Sequence, residues 1–156
     1  MGKQTPSQAK NTIRRSLFEL VSPSPTDVEK EEIWRYFKEE CAYCGRKISK
    51  DERKGHLDHI IAISRGGTNS KYNHLLACSI CNGDEKREME WDQFLQKKAA
   101  DNDEYLRRKR IIEEWKARDD FNIHEGLLKL VNQTINIALQ NYDESVRYIR
   151  ELKSND

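Results

Sequence analysis

Cys41, Cys44, Cys78 and Cys81 are the only cysteines of the chain. They stand as two Cys-x-x-Cys pairs, Cys41-Ala-Tyr-Cys44 and Cys78-Ser-Ile-Cys81, with 33 residues between them. Each pair is short enough to bend the backbone so that both sulfurs face one point. Gly45 and Gly83 follow the pairs, where such bends favour a residue without a side chain. Together the pairs offer four thiolates, the donor set of a closed tetrahedral Zn²⁺ site. Two disulfides, or a redox-active Cys-x-x-Cys, are the alternatives. Residues 1–10 lack the basic start and apolar run of a secretory leader, so the sequence predicts a cytoplasmic protein with reduced thiols. No thioredoxin-like βαβ pattern surrounds either pair. Zinc is therefore the expected occupant, in a structural role, because a four-cysteine site leaves no position open for chemistry.

A metal brace suits this composition. Of 156 residues only 36% are apolar and 35% are charged, with a mean hydropathy of −0.96. The apolar core must be small, and zinc binding adds folding free energy that such a core lacks. No stretch approaches 18 consecutive apolar residues, so no membrane span is expected. Seven glycines and three prolines exclude a collagen-like or low-complexity chain.

The net charge of +1 carries no message about partners, but its distribution does. The first 18 residues hold Lys3, Lys10, Arg14 and Arg15 and no acid. Residues 46–71 hold seven bases against three acids, whereas residues 27–40 hold six acids against three bases. A basic window between the cysteine pairs is what phosphate contact requires.

Periodicity places the elements. Ile13, Leu17, Leu20 and Val21 give a short amphipathic helix around residues 12–21, and Ser22-Pro23-Ser24-Pro25 ends it. Thr26 with Glu29 is a capping-box pattern that opens a second helix, running to just before Cys41. Residues 55–63 read as a strand, residues 64–70 as a loop, and residues 72–77 as the returning segment. Helices are predicted over 84–99 and over 103–118, the latter capped by Asp101, Asn102 or Asp103. A last helical stretch, 122–153, should break near Asn141. Trp34, Trp91 and Trp115 read as core residues. The run Arg107 to Arg110 is either a nucleic-acid-facing stripe or paired within its helix to Glu113 and Glu114.

Between and just beyond the cysteine pairs lie Asp58-His59, Ser64-Arg65-Gly66-Gly67-Thr68, Asn73, and Cys81-Asn82 with Lys86. Phosphodiester hydrolysis needs a base near neutrality, for which histidine is suited, and oxygen donors for a hard divalent cation. His59, Asp58 and Asn82 supply that set, and a zinc holding Cys81 would bring Asn82 towards the Asp58-His59 strand. On a regular strand Asp58 and His59 point to opposite faces, so a shared site needs the strand to end, bulge or twist there. His56 shares a face with Asp58, and His74 is a further candidate for a site role.

In this order of residues the sequence resembles the HNH endonucleases, over about residues 41–87. The resemblance implies a ββα-metal fold, a hairpin and a helix around one catalytic metal. It implies His59 as general base, Asn73 as the residue that holds the loop and orients the base, and Asn82 with Asp58 as ligands of Mg²⁺ or Mn²⁺, an HNN variant. The chain departs from the family at Ala62, where proline is frequent, and at Asn73-His74-Leu75, where Asn-Leu is common.

The expected fold class is thus α+β, a zinc-braced ββα-metal core with flanking α-helices and mostly helical overall. The expected organisation is a helical arm over 1–40, a nuclease core over 41–100 and a helical extension over 101–156. DNA is the expected partner, contacted by Arg65, Lys71, Lys86 and Arg87, in restriction or phage defence. The C-terminal helices are available for a homodimer or a partner protein. The alternative is a non-catalytic zinc module that binds nucleic acid or docks to a partner.

Overall fold

In the computed structural model, which describes residues 5–50, 54–86 and 89–154, the chain divides into two compact units. One comprises Met1–Pro23 with Asn122–Asp156, the other Ser24–Phe121. The architecture is mixed: a two-stranded sheet with helices before and after it. Among the described residues no helix is long and apolar enough to cross a membrane.

The first unit is built from α1 (Pro6–Glu19) and α5 (Glu125–Ser154). The α1 helix begins earlier than its apolar spacing indicated. Thr5 caps it, accepting from the Gln8 amide while the Gln8 side chain accepts from the Thr5 amide, and Pro6 fits the first turn. Phe18, Ile135 and Leu139 form its small core, and Lys10 pairs with Asp143 at 2.9 Å. The break expected near Asn141 does not occur. The 30-residue α5 runs through it, because no glycine or proline follows Gly126 within the helix, and the Ser145 hydroxyl donates back to the Asn141 carbonyl at 2.8 Å.

The second unit carries the cysteines. In α2 (Asp27–Tyr36) the capping box of Thr26 and Glu29 forms as its pattern implies. The helix ends earlier than Cys41: Lys38 and Glu39 take left-handed conformations (φ 54° and 57°) and turn the chain into the first knuckle. Glu40 bridges to Lys47 across that knuckle, and Gly45, at φ 72°, donates back to the Cys41 carbonyl. The strands β1 (Gly55–His59) and β2 (His74–Cys78) pair antiparallel in unbroken register, from Gly55 opposite Cys78 to His59 opposite His74. All five residues of β2 are buried, as its His-Leu-Leu-Ala-Cys run allows. The first strand is shorter than the expected 55–63.

After Cys78 the structure departs from the single helix expected over 84–99. A wide π-helical turn occupies Ile80–Glu85, and α3 starts only at Trp91 and ends at Lys98. Such turns recur at functional sites, because the extra residue per turn re-aims side chains. Then α4 (Asn102–Lys116) follows, with Asp101 as its cap. The core joins α2, the sheet, α3 and α4 through Ile33, Phe37, Tyr43, Ile60, Leu75, Leu76, Phe94, Leu95, Ile112 and Trp115. Trp115 is fully buried, and Trp34 and Trp91 pack half-buried against the same core.

Candidate active site and metal centre

The four cysteines meet in this second unit. Their sulfurs all lie within 4.8 Å of one another, and Cys44 Sγ is 3.8 Å from Cys78 Sγ. Four sulfurs about 2.3 Å from one zinc stand about 3.8 Å apart, so the cluster has the dimensions of a tetrahedral site. A disulfide needs sulfurs about 2 Å apart, and all four thiols are free. Each ligand is placed by its own backbone device: Cys41 and Cys44 by the tight knuckle, Cys78 by the end of β2, Cys81 by the π-helical turn. The thiols compete for protons. The hydrogen bond with Cys44 pushes Cys41 up to about 11, and the same contact holds Cys44 down. Hydrogen bonds to Cys41 and Cys44 also push Cys81 up. A divalent cation resolves that competition by replacing the protons.

Asp58 is reached from this centre. Tyr43, inside the first knuckle, donates its hydroxyl to Asp58 Oδ2 at 2.7 Å, and Lys86 Nζ lies 2.7 Å from the same oxygen. Burial, reinforced by the charge of Asp58, keeps the Tyr43 phenol protonated well above its usual range. Lys86 also donates to the His59 carbonyl at 3.0 Å. Lys86 is therefore not on a solvated helix face: only 7% of it is exposed, and it ties the segment after the π-helical turn to the end of β1.

His59 is the last residue of β1, and its contacts differ from those of Asp58, as strand alternation dictates. No bulge interrupts β1, but the strand ends at His59, one of the ways in which neighbouring side chains can serve one site. His59 Nε2 lies 3.1 Å from Asn69 Oδ1, and its ring packs on that of His74 with centroids 4.2 Å apart. His74 is buried and donates from Nδ1 to the Ser70 carbonyl at 2.9 Å. Burial, and then the neighbouring His59, lower its pKa to about 4, so it stays neutral.

Asn73 is 3% exposed and holds the loop that returns from β1. Its Oδ1 accepts from the Ile61 amide at 2.9 Å, and its Nδ2 donates to the carbonyls of Ile61 at 2.9 Å and Thr68 at 2.8 Å. Its carbonyl accepts from the Ile60 amide at 2.8 Å. Asn82 is half-buried in the π-helical turn, and its side chain makes no hydrogen bond among the described residues. His56 is exposed on β1.

Arg65 pairs with Glu90, and Lys71 pairs with Glu32 at 2.6 Å. Lys86 is buried on Asp58, and Arg87 lies outside the described residues, as do Asp51, Glu52 and Arg53 of the basic window. In the Arg107 to Arg110 run the pairing within and between helices prevails: Arg108 is buried on Glu104, and Lys109 reaches Asp92. Sequence reading missed Tyr43 and Asn69. A tyrosine between two metal-binding cysteines was the signal for the first, since a buried phenol needs a partner. The second is a loop asparagine among polar neighbours and gave none.

Residues 41–88 match the family model of the HNH endonucleases. That segment, under a third of the chain, is similar to an HNH endonuclease domain, a resemblance that implies nuclease-type chemistry on a nucleic acid. No curated protein matches the chain.

Proposed function

We propose that this chain is a metal-dependent endonuclease that hydrolyses DNA phosphodiester bonds. The observation that carries the reading is the constellation of Asp58, His59 and Asn73 on a hairpin tied to the four-cysteine cluster, within the HNH-matched segment. In this reading His59 takes the proton from the attacking water. Asn73 holds the loop against β1, so that His59 keeps its place. Asp58, through the carboxylate oxygen not taken by Tyr43 and Lys86, and Asn82, through its amide oxygen, would hold Mg²⁺ or Mn²⁺; a carboxylate and an amide are donors such a hard cation takes. When bound, the ion supplies polarisation of the phosphate and neutralisation of the leaving 3′ oxygen. Tyr43 and Lys86 aim Asp58 by two short contacts. Zinc on the four cysteines serves the fold alone. Restriction or phage defence in the cytoplasm is the setting we favour, on the family resemblance. A homodimer or a partner protein would dock through the C-terminal helices.

One observation favours the second reading, a zinc module that binds nucleic acid or a partner without cutting. The Lys86 ammonium already neutralises Asp58. Plasmid nicking separates the two. Wild type should convert supercoiled to open circular DNA with Mg²⁺ or Mn²⁺, and His59→Ala should abolish conversion while keeping its melting curve. Unchanged cutting by His59→Ala removes His59 as base. A gel shift with no cutting under any metal favours the second reading.

A further inference from the structure

The nuclease reading leaves open which nitrogen of His59 acts, and the loop that faces it answers. A neutral imidazole carries one N–H, and the ring nitrogen without it is the base. His59 Nε2 stands 3.1 Å from Asn69 Oδ1. An amide oxygen only accepts, so the proton sits on Nε2 and the basic lone pair on Nδ1.

Asn69 is held to this task from both sides. The carbonyl of Thr68, the residue before it, accepts from Asn73 Nδ2 at 2.8 Å. On the other side the Ser70 hydroxyl donates to Asp119 at 2.7 Å, and the Ser70 carbonyl accepts from His74 Nδ1 at 2.9 Å. The same His74 ring lies against His59. The Asn73 side chain bonds the loop backbone, at Ile61 and Thr68. The two asparagines therefore divide one role: Asn73 fixes the loop, and Asn69, fixed by it, meets the imidazole.

We propose that Asn69 is a positioning residue that selects the Nε2–H tautomer of His59 and so makes Nδ1 the general base. The proposal rests on the nuclease reading for the base's use, but not for the tautomer itself. Misplacing the tautomer of a catalytic histidine costs about 10⁴-fold in a serine protease triad with a buried carboxylate partner. For a half-buried amide we expect a smaller loss, of about 10- to 100-fold.

The test uses the zinc-loaded full chain and reads His59 by ¹⁵N NMR beside plasmid nicking. Wild type should show a slowly exchanging His59 Nε2–H and a Nδ1 shift typical of an unprotonated nitrogen. Asn69→Leu should lose the protected proton and lower kcat by about 10- to 100-fold with KM little changed. Asn69→Asp keeps an accepting oxygen and should retain the Nε2–H and most of the cutting. A His59 proton found on Nδ1 in wild type overturns the proposal. So does a protected Nε2–H that survives in Asn69→Leu, or a loss of kcat shared equally by Asp and Leu. If wild type never cuts, the nuclease reading falls, and the NMR arm still decides whether Asn69 sets the tautomer.

Discussion

His74 makes the stability of the Ser24–Phe121 unit depend on pH in a way that one substitution can isolate. It is 5% exposed, and burial followed by the adjacent His59 lowers its pKa from 6.5 to about 4. The unfolded chain binds this proton first, so the contribution of His74 is complete above pH 6.5. It is lost progressively as pH falls towards 4, and it is flat below. The full span is roughly 3 kcal/mol, at about 1.4 kcal/mol per pH unit. Between pH 7.5 and pH 5.5 the loss is about 1 kcal/mol. The perturbation is His74→Gln, which removes the titration and keeps an amide able to donate to the Ser70 carbonyl. Its packing cost does not change with pH, and other titrating groups are common to both proteins. All three tryptophans lie in this unit, so urea unfolding followed by tryptophan fluorescence reports on it. The advantage of wild type over His74→Gln should shrink by about 1 kcal/mol between the two pH values. A constant difference would show that folded His74 takes up its proton as readily as unfolded His74, and would refute the argument from burial.

Three other outcomes follow from the same contacts. Lys86→Met strands a half-buried carboxylate and should cost about 2 kcal/mol in urea unfolding, with part regained in Asp58→Asn/Lys86→Met; a cost within about 0.5 kcal/mol would show the pair to be idle. Gly66 is at φ 85° with open space around its Cα, so Gly66→Ala should cost only about 1 kcal/mol of backbone strain. Gly67→Ala drives a methyl into the Ile61 and Ala62 carbonyls and should lower the melting temperature by much more; equal costs would contradict the packing. Elemental analysis should find one zinc per chain, and chelation should unfold the tryptophan-bearing unit; a chelated protein with native fluorescence would sever the cysteine cluster from the fold.

What the sequence disclosed was what local chemistry determines. The cysteine pairs, the Thr26 capping box and the Asp101 cap each depend on residues a few positions apart, and each formed. Asn73 could be picked out because its neighbours stand in a fixed order. Its three side-chain bonds could not, since they depend on how the loop folds back. Lys86 reads as a solvated lysine in any polar segment; only the π-helical turn, which no periodicity announces, brings it under Asp58. The helix continues through Asn141 because asparagine costs a helix too little to stop one that has a packed face. His59 and Asn69, ten residues apart, meet only because Asn73, His74 and Asp119 clamp the loop between them.

The family match ends at residue 88, but the hairpin's supports do not. Trp115, in the last turn of α4, donates its indole N–H to the His74 carbonyl at 2.8 Å, and Asp119 receives the Ser70 hydroxyl. A fragment trimmed to the recognisable motif would keep every zinc ligand and His59 while discarding two struts of the loop that faces it. Anyone cutting this chain down for expression or fusion should place the C-terminal boundary no earlier than Phe121, and a motif-length fragment that binds zinc yet lacks activity would be a casualty of trimming.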